Sequence, residues 1–396
     1  MTERFGLVVA MLVLPMLGVA GTQGALGGTP SPVASPVGSP GASPSASPVA
    51  GLAGVAPVTM VAQLTGAASI NDTEAKYGVA GTDLGHTFAH EGQLYMVFGD
   101  TFGAFKSDWR SNVAAVISDD DPRDGLTFDR MITDQPGHAK VLIPQEAVAG
   151  TEITVIPTNG VSIPNGAESR IVLHYMAVSF WGEPGRWDLN HSGLAYSDDD
   201  GETWTVDPNA TWPADSNFGQ VAFETVGDHV YVFGIPGGRF GGVALARVPP
   251  ENILDLAAYE YWDGAAWVPG DATAAATIVP APAGELSVRW NDHYQQWLMM
   301  YLNEDKYAIV LRTADCLTGP WGEERTVVTG TEYAQLYAPY MPPTWNDGPE
   351  VYFAMSVFDT YQVLWMQTSL SNVVPSDGEA RCVEPTTSAT SSHVGR

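Results

Sequence analysis

The 396-residue chain carries 17 Lys and Arg against 45 Asp and Glu, a formal net charge of −28 at pH 7. That balance offers no basic stripe for a phosphate backbone, which argues against nucleic acid as a partner; acidity of this kind keeps a protein soluble. The 12 Trp, 15 Tyr and 13 Phe are ample for one large core, and for aromatic contact with a ligand.

At the start, Arg4 precedes an uncharged, mostly apolar run over residues 5–20, and Gly18-Val19-Ala20 supplies small residues for cleavage. Residues 1–25 therefore read as an export signal, and a secreted or cell-surface location is expected. The run is short and contains Pro15, so it does not read as a stable membrane span. Residues 26–54 form a Ser/Pro/Ala/Gly tract without charge or aromatic side chains. Such a tract cannot bury a core and is expected to be an extended, disordered spacer.

From residue 55 to 375 short strands alternate with Gly, Pro and Asp turns. One unit recurs: an apolar, aromatic-rich strand followed by a second apolar strand. It appears at residues 94–99 and 113–118, at 171–176 and 193–197, at 230–234 and 243–247, at 297–302 and 309–313, and at 351–355 and 363–367. Five copies predict an all-β, five-bladed β-propeller, and a two-sheet jelly roll would not produce the repeat. One short helix is predicted over residues 251–258, after Pro249-Pro250. The segment Ser197-Asp198-Asp199-Asp200-Gly201-Glu202-Thr203-Trp204 fits the Asp-box pattern, a hairpin turn with a structural role. A looser echo runs from Ser118 to Gly125. Neither matches a calcium loop, and no metal or cofactor is expected. The two cysteines, Cys316 and Cys382, are expected to form one disulfide that ties the tail, residues 376–396, to the body.

A propeller brings the ends of its inner strands to a shared axial cleft, so carboxylates are sought at those ends. Asp83, in Gly81-Thr82-Asp83-Leu84-Gly85, and Asp100, in Gly99-Asp100-Thr101, flank one predicted hairpin and are the leading pair. The plain alternative is that both cap turns. Glu224 and Glu285 are reserve carboxylates from later repeats. The loop containing Trp181, Arg186, Trp187 and Asn190 is too interrupted by Gly and Pro to be core strand, and it combines ring faces with hydrogen-bonding groups suited to a sugar. Trp109, Arg110, Asn112 and Arg239 invite the same reading; packing of the loops is the alternative for all of these. No nucleophile elbow, zinc-binding helix or phosphate loop is present.

On Gly81-Thr82-Asp83-Leu84-Gly85, Phe98-Gly99-Asp100-Thr101-Phe102-Gly103, Trp109-Arg110-Ser111-Asn112, the Asp-box, Gly238-Arg239-Phe240-Gly241-Gly242 and Val310-Leu311-Arg312-Thr313-Ala314, the chain resembles the domain of unknown function 4185 family, part of which is classed as glycoside hydrolase family 183. The resemblance implies a five-bladed propeller. For characterised members it also implies endo-acting cleavage of D-arabinan in mycobacterial arabinogalactan and lipoarabinomannan, with the two motif aspartates catalytic; Asp83 and Asp100 fill those positions. The expected protein is thus a secreted, monomeric glycoside hydrolase acting on an arabinan-like polysaccharide. A non-catalytic carbohydrate-binding propeller and a sialidase-like glycosidase are the alternatives.

Overall fold

Strands flanked on both sides by other sheets must be apolar on both faces, and residues 94–98 show how this chain meets that demand. Leu94, Met96 and Phe98 enter one hydrophobic cluster while Tyr95 and Val97 enter another. The sheet is therefore packed between two neighbours, as a propeller blade is. The computed structural model describes residues 51–374 except 146 and 149, and the expected signal, most of the spacer and the tail lie outside them.

Five antiparallel sheets follow one another along the chain. The first contains Gly81–His90, Gln93–Phe102, Val113–Ile117 and Arg130–Met131. The second contains Thr154–Asn165, Glu168–Trp181, Trp187–Ser197 and Thr205–Pro213. Gln220–Val226, His229–Ile235, Gly241–Val248 and Glu260–Trp262 build the third, which Trp267–Pro269 and Val279–Ala283 extend. Leu286–Asn291, Gln296–Asn303, Ala308–Ala314 and Arg325–Thr329 make the fourth. The fifth contains Leu336–Tyr340, Glu350–Val357 and Gln362–Val374. The repeats predicted from the sequence are the second and third strands of these five blades.

The ring closes with chain from before the first blade. Gly51–Val55 and Thr59–Gln63 both pair antiparallel with Gln362–Val374, supplying the outer edge of the fifth blade. Residues 51–54, inside the stretch read as spacer, are thus part of a paired strand. Blades one and two share a core built on Phe88, Tyr95, Ile171 and Leu173, and other apolar clusters fill the remaining interfaces. Among the described residues no helix is long and apolar enough to cross a membrane.

The helix expected over residues 251–258 is replaced by two short 3-10 turns, Pro250–Asn252 and Leu256–Ala258. Asp255 breaks the run: its backbone is extended and its carboxylate accepts from the Ala257 amide. A local side-chain bond has outcompeted the helix ladder. The Asp-box folds as anticipated. Asp199 Oδ1 accepts from the Thr203 amide at 2.7 Å and the Ser197 hydroxyl at 2.8 Å, Gly201 takes φ 84°, and Trp204 Nε1 donates to the Gly201 carbonyl at 2.8 Å. Cys316 is disulfide-bonded, and Cys382 lies outside the described residues.

Candidate active site

Each inner strand starts at the same end of the ring as the loop that joins the second and third strands of its blade, because successive strands are antiparallel. At that end of the first blade, the hairpin register runs Gly81↔Phe102 and Thr82↔Thr101, then slips on either side of Leu84. Leu84 and Gly85 both take positive φ, 66° and 85°, and the Leu84 amide donates to Ser356 Oγ of the fifth blade at 2.9 Å. A bulge re-aims the side chain beside it. Here that side chain is Asp83, laid over Gly99: a Cβ at position 99 would stand 2.5 Å from Asp83 Oδ1. The glycine before Asp100 is what lets the other carboxyl lie against the strand.

The two carboxyls are neighbours in unequal surroundings. Asp83 Oδ2 accepts from the Tyr337 hydroxyl at 2.8 Å, and the Tyr361 hydroxyl also bonds this carboxyl. Its Oδ1 is buried without a hydrogen-bond partner among the described residues. Burial, followed by repulsion from Asp100, pushes Asp83 up to about 7, with the tyrosines opposing. Asp100 Oδ1 accepts from Thr154 Oγ1 at 2.6 Å and from Trp109 Nε1 at 3.1 Å. Burial raises Asp100 to about 6, and these two donors hold it back. Both carboxyls are thus pushed upward, and their surroundings differ: Asp83 faces a tyrosine hydroxyl and the charges of Asp100 and Glu285, whereas Asp100 faces the Thr154 and Trp109 donors.

Blades three and four add an ionic clamp next to the pair. Arg239 donates to Glu285 Oε1 through Nη2 at 2.8 Å and Nε at 3.0 Å, and through Nη1 to Glu304 Oε1 at 3.1 Å. Its guanidinium lies 4.9 Å from the Tyr337 ring and 5.6 Å from the Trp187 ring. Glu285 is 5% exposed, and its negative charge adds to the upward push on Asp83.

The other expected site residues divide. Trp109 is at the site through Asp100, and Trp181 packs edge-on against Trp187 at 5.7 Å. Arg186 is directed to the Phe240 ring at 3.9 Å, and Asn190 is exposed on the third strand of the second blade. Arg110 and Asn112 require correction. Arg110 is 3% exposed and donates to the carbonyls of Gly78, Asp108 and Ala139. Asn112 is fully buried, donates to the carbonyls of Ile143 and Val155, and accepts from the amides of Leu142 and Ile143. Both hold loop backbone in place and present nothing to a ligand. Glu224 is corrected too: it sits four residues into its inner strand, where Arg289 Nη1 donates to it at 2.5 Å. The reserve carboxylate that reaches the site is Glu285.

Sequence reasoning missed Thr154, Tyr337, Tyr361 and Glu304. Tyr337 lies 254 residues from Asp83 along the chain. It is the second residue of the inner strand Leu336–Tyr340, a strand absent from the repeat count. Extending the rule applied to Asp83, that inner-strand starts face the axis, would have found both Tyr337 and Thr154, which begins its own inner strand.

One solved structure shares the fold. A hydrolase candidate from Bacteroides ovatus superposes with a TM-score of 0.53 at 14% identity, covering 74% of this chain and 86% of that one. A GH43_1 enzyme from Xanthomonas citri aligns at a TM-score of 0.46 and 13% identity, over 83% of this chain and 97% of that one. In sequence, the chain is 32% identical over 305 residues to notoamide biosynthesis cluster protein J of Aspergillus sp. (strain MF297-2), covering 71% of this chain and 80% of that protein. Protein J′ of the same kind of cluster in Aspergillus versicolor is 31% identical over 296 residues, 69% of this chain and 79% of that protein. Residues 68–367, which include the carboxyl pair, the ionic clamp and all five blades up to the last strand, match the DUF4185 model, and the chain belongs to that family of domains of unknown function.

Proposed function

We propose that the protein is an exported glycoside hydrolase, an endo-α-D-arabinofuranosidase acting on arabinan of the mycobacterial cell-wall type. The observation that carries this reading is a pair of neighbouring carboxyls, both pushed up by burial and set in unequal surroundings: Asp83 lies over Gly99 against the Tyr337 hydroxyl, and Asp100 accepts from Thr154 and Trp109. Hydrolysis of a glycosidic bond needs two such unequal carboxyls. Asp83 donates its proton to the departing sugar oxygen as the C–O bond breaks. Asp100, ionised, takes a proton from the attacking water or attacks the anomeric carbon itself. Water is added across the bond, and the acid is restored. Trp187 and Trp109 provide ring faces beside the pair for the C–H side of a sugar. The protein acts as a monomer outside the cytoplasm, delivered by residues 1–25 and held away from the surface by the spacer.

Incubation with purified D-arabinan tests the reading. Oligosaccharide release is expected from the native protein, with a loss of about a hundredfold or more in Asp83→Asn and Asp100→Asn. Full activity in either variant, or no release by the native protein, defeats it. The fungal relatives named for a biosynthesis cluster favour a second reading, in which the same cleft takes a small molecule. Binding of short glycosides without cleavage of any polymer would support that one.

A further inference from the structure

The four exposed aromatic side chains among the described residues, Phe105, Phe180, Tyr307 and Phe358, all lie at or beside the loops joining second and third strands, at the end of the ring where the carboxyls sit. Solvent-facing rings are costly, and confinement to one end marks a contact surface. Two of them are built into a continuous path. The Tyr307 ring packs against Gly330, where any Cβ would collide with it. Its hydroxyl accepts from the Gln335 amide at 2.6 Å, and its carbonyl accepts from the Gly330 amide at 2.8 Å. The ring is thus held against the chain while the side chain stays 43% exposed. The Gln335 carbonyl accepts from the amide of Phe358, which is 50% exposed. Phe358 meets Tyr361 edge-on at 6.0 Å, and the Tyr361 hydroxyl reaches Asp83.

We propose that Tyr307 and Phe358 form a distal sugar-binding track, carrying the part of a polysaccharide that runs outward from the carboxyl pair over blades four and five. The inference rests on the polysaccharide reading above and adds to it where the chain is held away from the reacting bond. Exposed rings suit the C–H face of a sugar, and two of them on a path leading to Asp83, the first held in place by Gly330 and the Gln335 amide, suit consecutive sugars. A lipid surface is the other occupant such rings suit, but the net charge of −28 opposes approach to an anionic bilayer.

The test compares kcat/KM on polymeric D-arabinan with that on a short arabino-oligosaccharide, for the native protein, Tyr307→Ala, Phe358→Ala, the double variant and Tyr307→Trp. In the double variant the polymer-to-oligosaccharide ratio is expected to fall about tenfold, mainly through KM, while Tyr307→Trp keeps the ratio because it keeps a ring. Polymer binding measured in an Asp100→Asn background should weaken in parallel. An unchanged ratio, or an equal loss on both substrates, overturns the track. So does binding to phosphatidylcholine vesicles that the double variant loses while the ratio stays fixed. Failure of the native protein to cleave or bind arabinan removes the reading and the track together, whereas normal cleavage with an unchanged ratio removes the track alone. Phe358→Ala supplies the answer if Tyr307→Ala loses its fold.

Discussion

At the scale of single residues, Asp83 and Asp100 set the behaviour with pH. Both have folded-state pKa values above the ordinary 3.8, at about 7 and about 6. The folded protein therefore holds these protons more tightly than the unfolded chain does. Their contribution to stability is full below about pH 4 and is lost as pH rises through about 6 and 7. Replacing either by Asn should raise the melting temperature at pH 8, by on the order of a few kcal/mol in stability, and leave it nearly unchanged at pH 4. Equal effects at both pH values in thermal unfolding would show that burial is not what shifts these groups. Tyr337 acts in the opposite direction, since its hydroxyl favours the ionised Asp83. Tyr337→Phe should move the alkaline limb of the pH profile of kcat/KM upward. A downward move would mean that Asp83 is not the group kept protonated.

The hairpin and the turns decide matters at the scale of elements. In Gly81–His90 and Gln93–Phe102 the bulge at Leu84 and the bare Gly99 together allow Asp83 to lie across the strand beside Asp100. Gly99→Ala places a methyl against the Asp83 carboxyl and is expected to lower activity at least tenfold with the protein still folded, as circular dichroism beside a digestion assay would show. The Asp-box makes a useful contrast. Asp199 is exposed and bonds only within its own turn, to Ser197 and Thr203. Asp199→Ala should cost about 1 kcal/mol in urea unfolding and leave catalysis intact. The Asp-box was legible because the bonds that shape its turn, among Ser197, Asp199, Gly201, Thr203 and Trp204, are local, and the strand pairs were legible because each carries its own apolar run. Arg110 and Asn112 were misread for the converse reason. Their partners, from Gly78 to Val155, come from segments that only folding brings near.

Across the whole molecule, stability depends on closing the ring. Trp365, fully buried on the last long strand, donates through Nε1 to the Pro122 carbonyl at 2.9 Å and stacks with Tyr352 at 6.0 Å between centroids. It thereby joins the fifth blade to a loop of the first. Trp365→Ala should cost roughly 3–5 kcal/mol, measurable as an earlier unfolding midpoint. A cost below about 1 kcal/mol would mean that the closure does not depend on this side chain.

The sequence by itself determined the repeat and with it the blade number, the Asp-box, and the two aspartates at one hairpin, because each depends on residues near one another in the chain. Only the tertiary structure decided what surrounds those aspartates. Tyr337 and Tyr361 come from the fifth blade, Thr154 from the second, and Glu285 from the start of the fourth, held by Arg239 of the third. Proton affinity is set by burial and by such neighbours, and the neighbours exist only once the ring has closed.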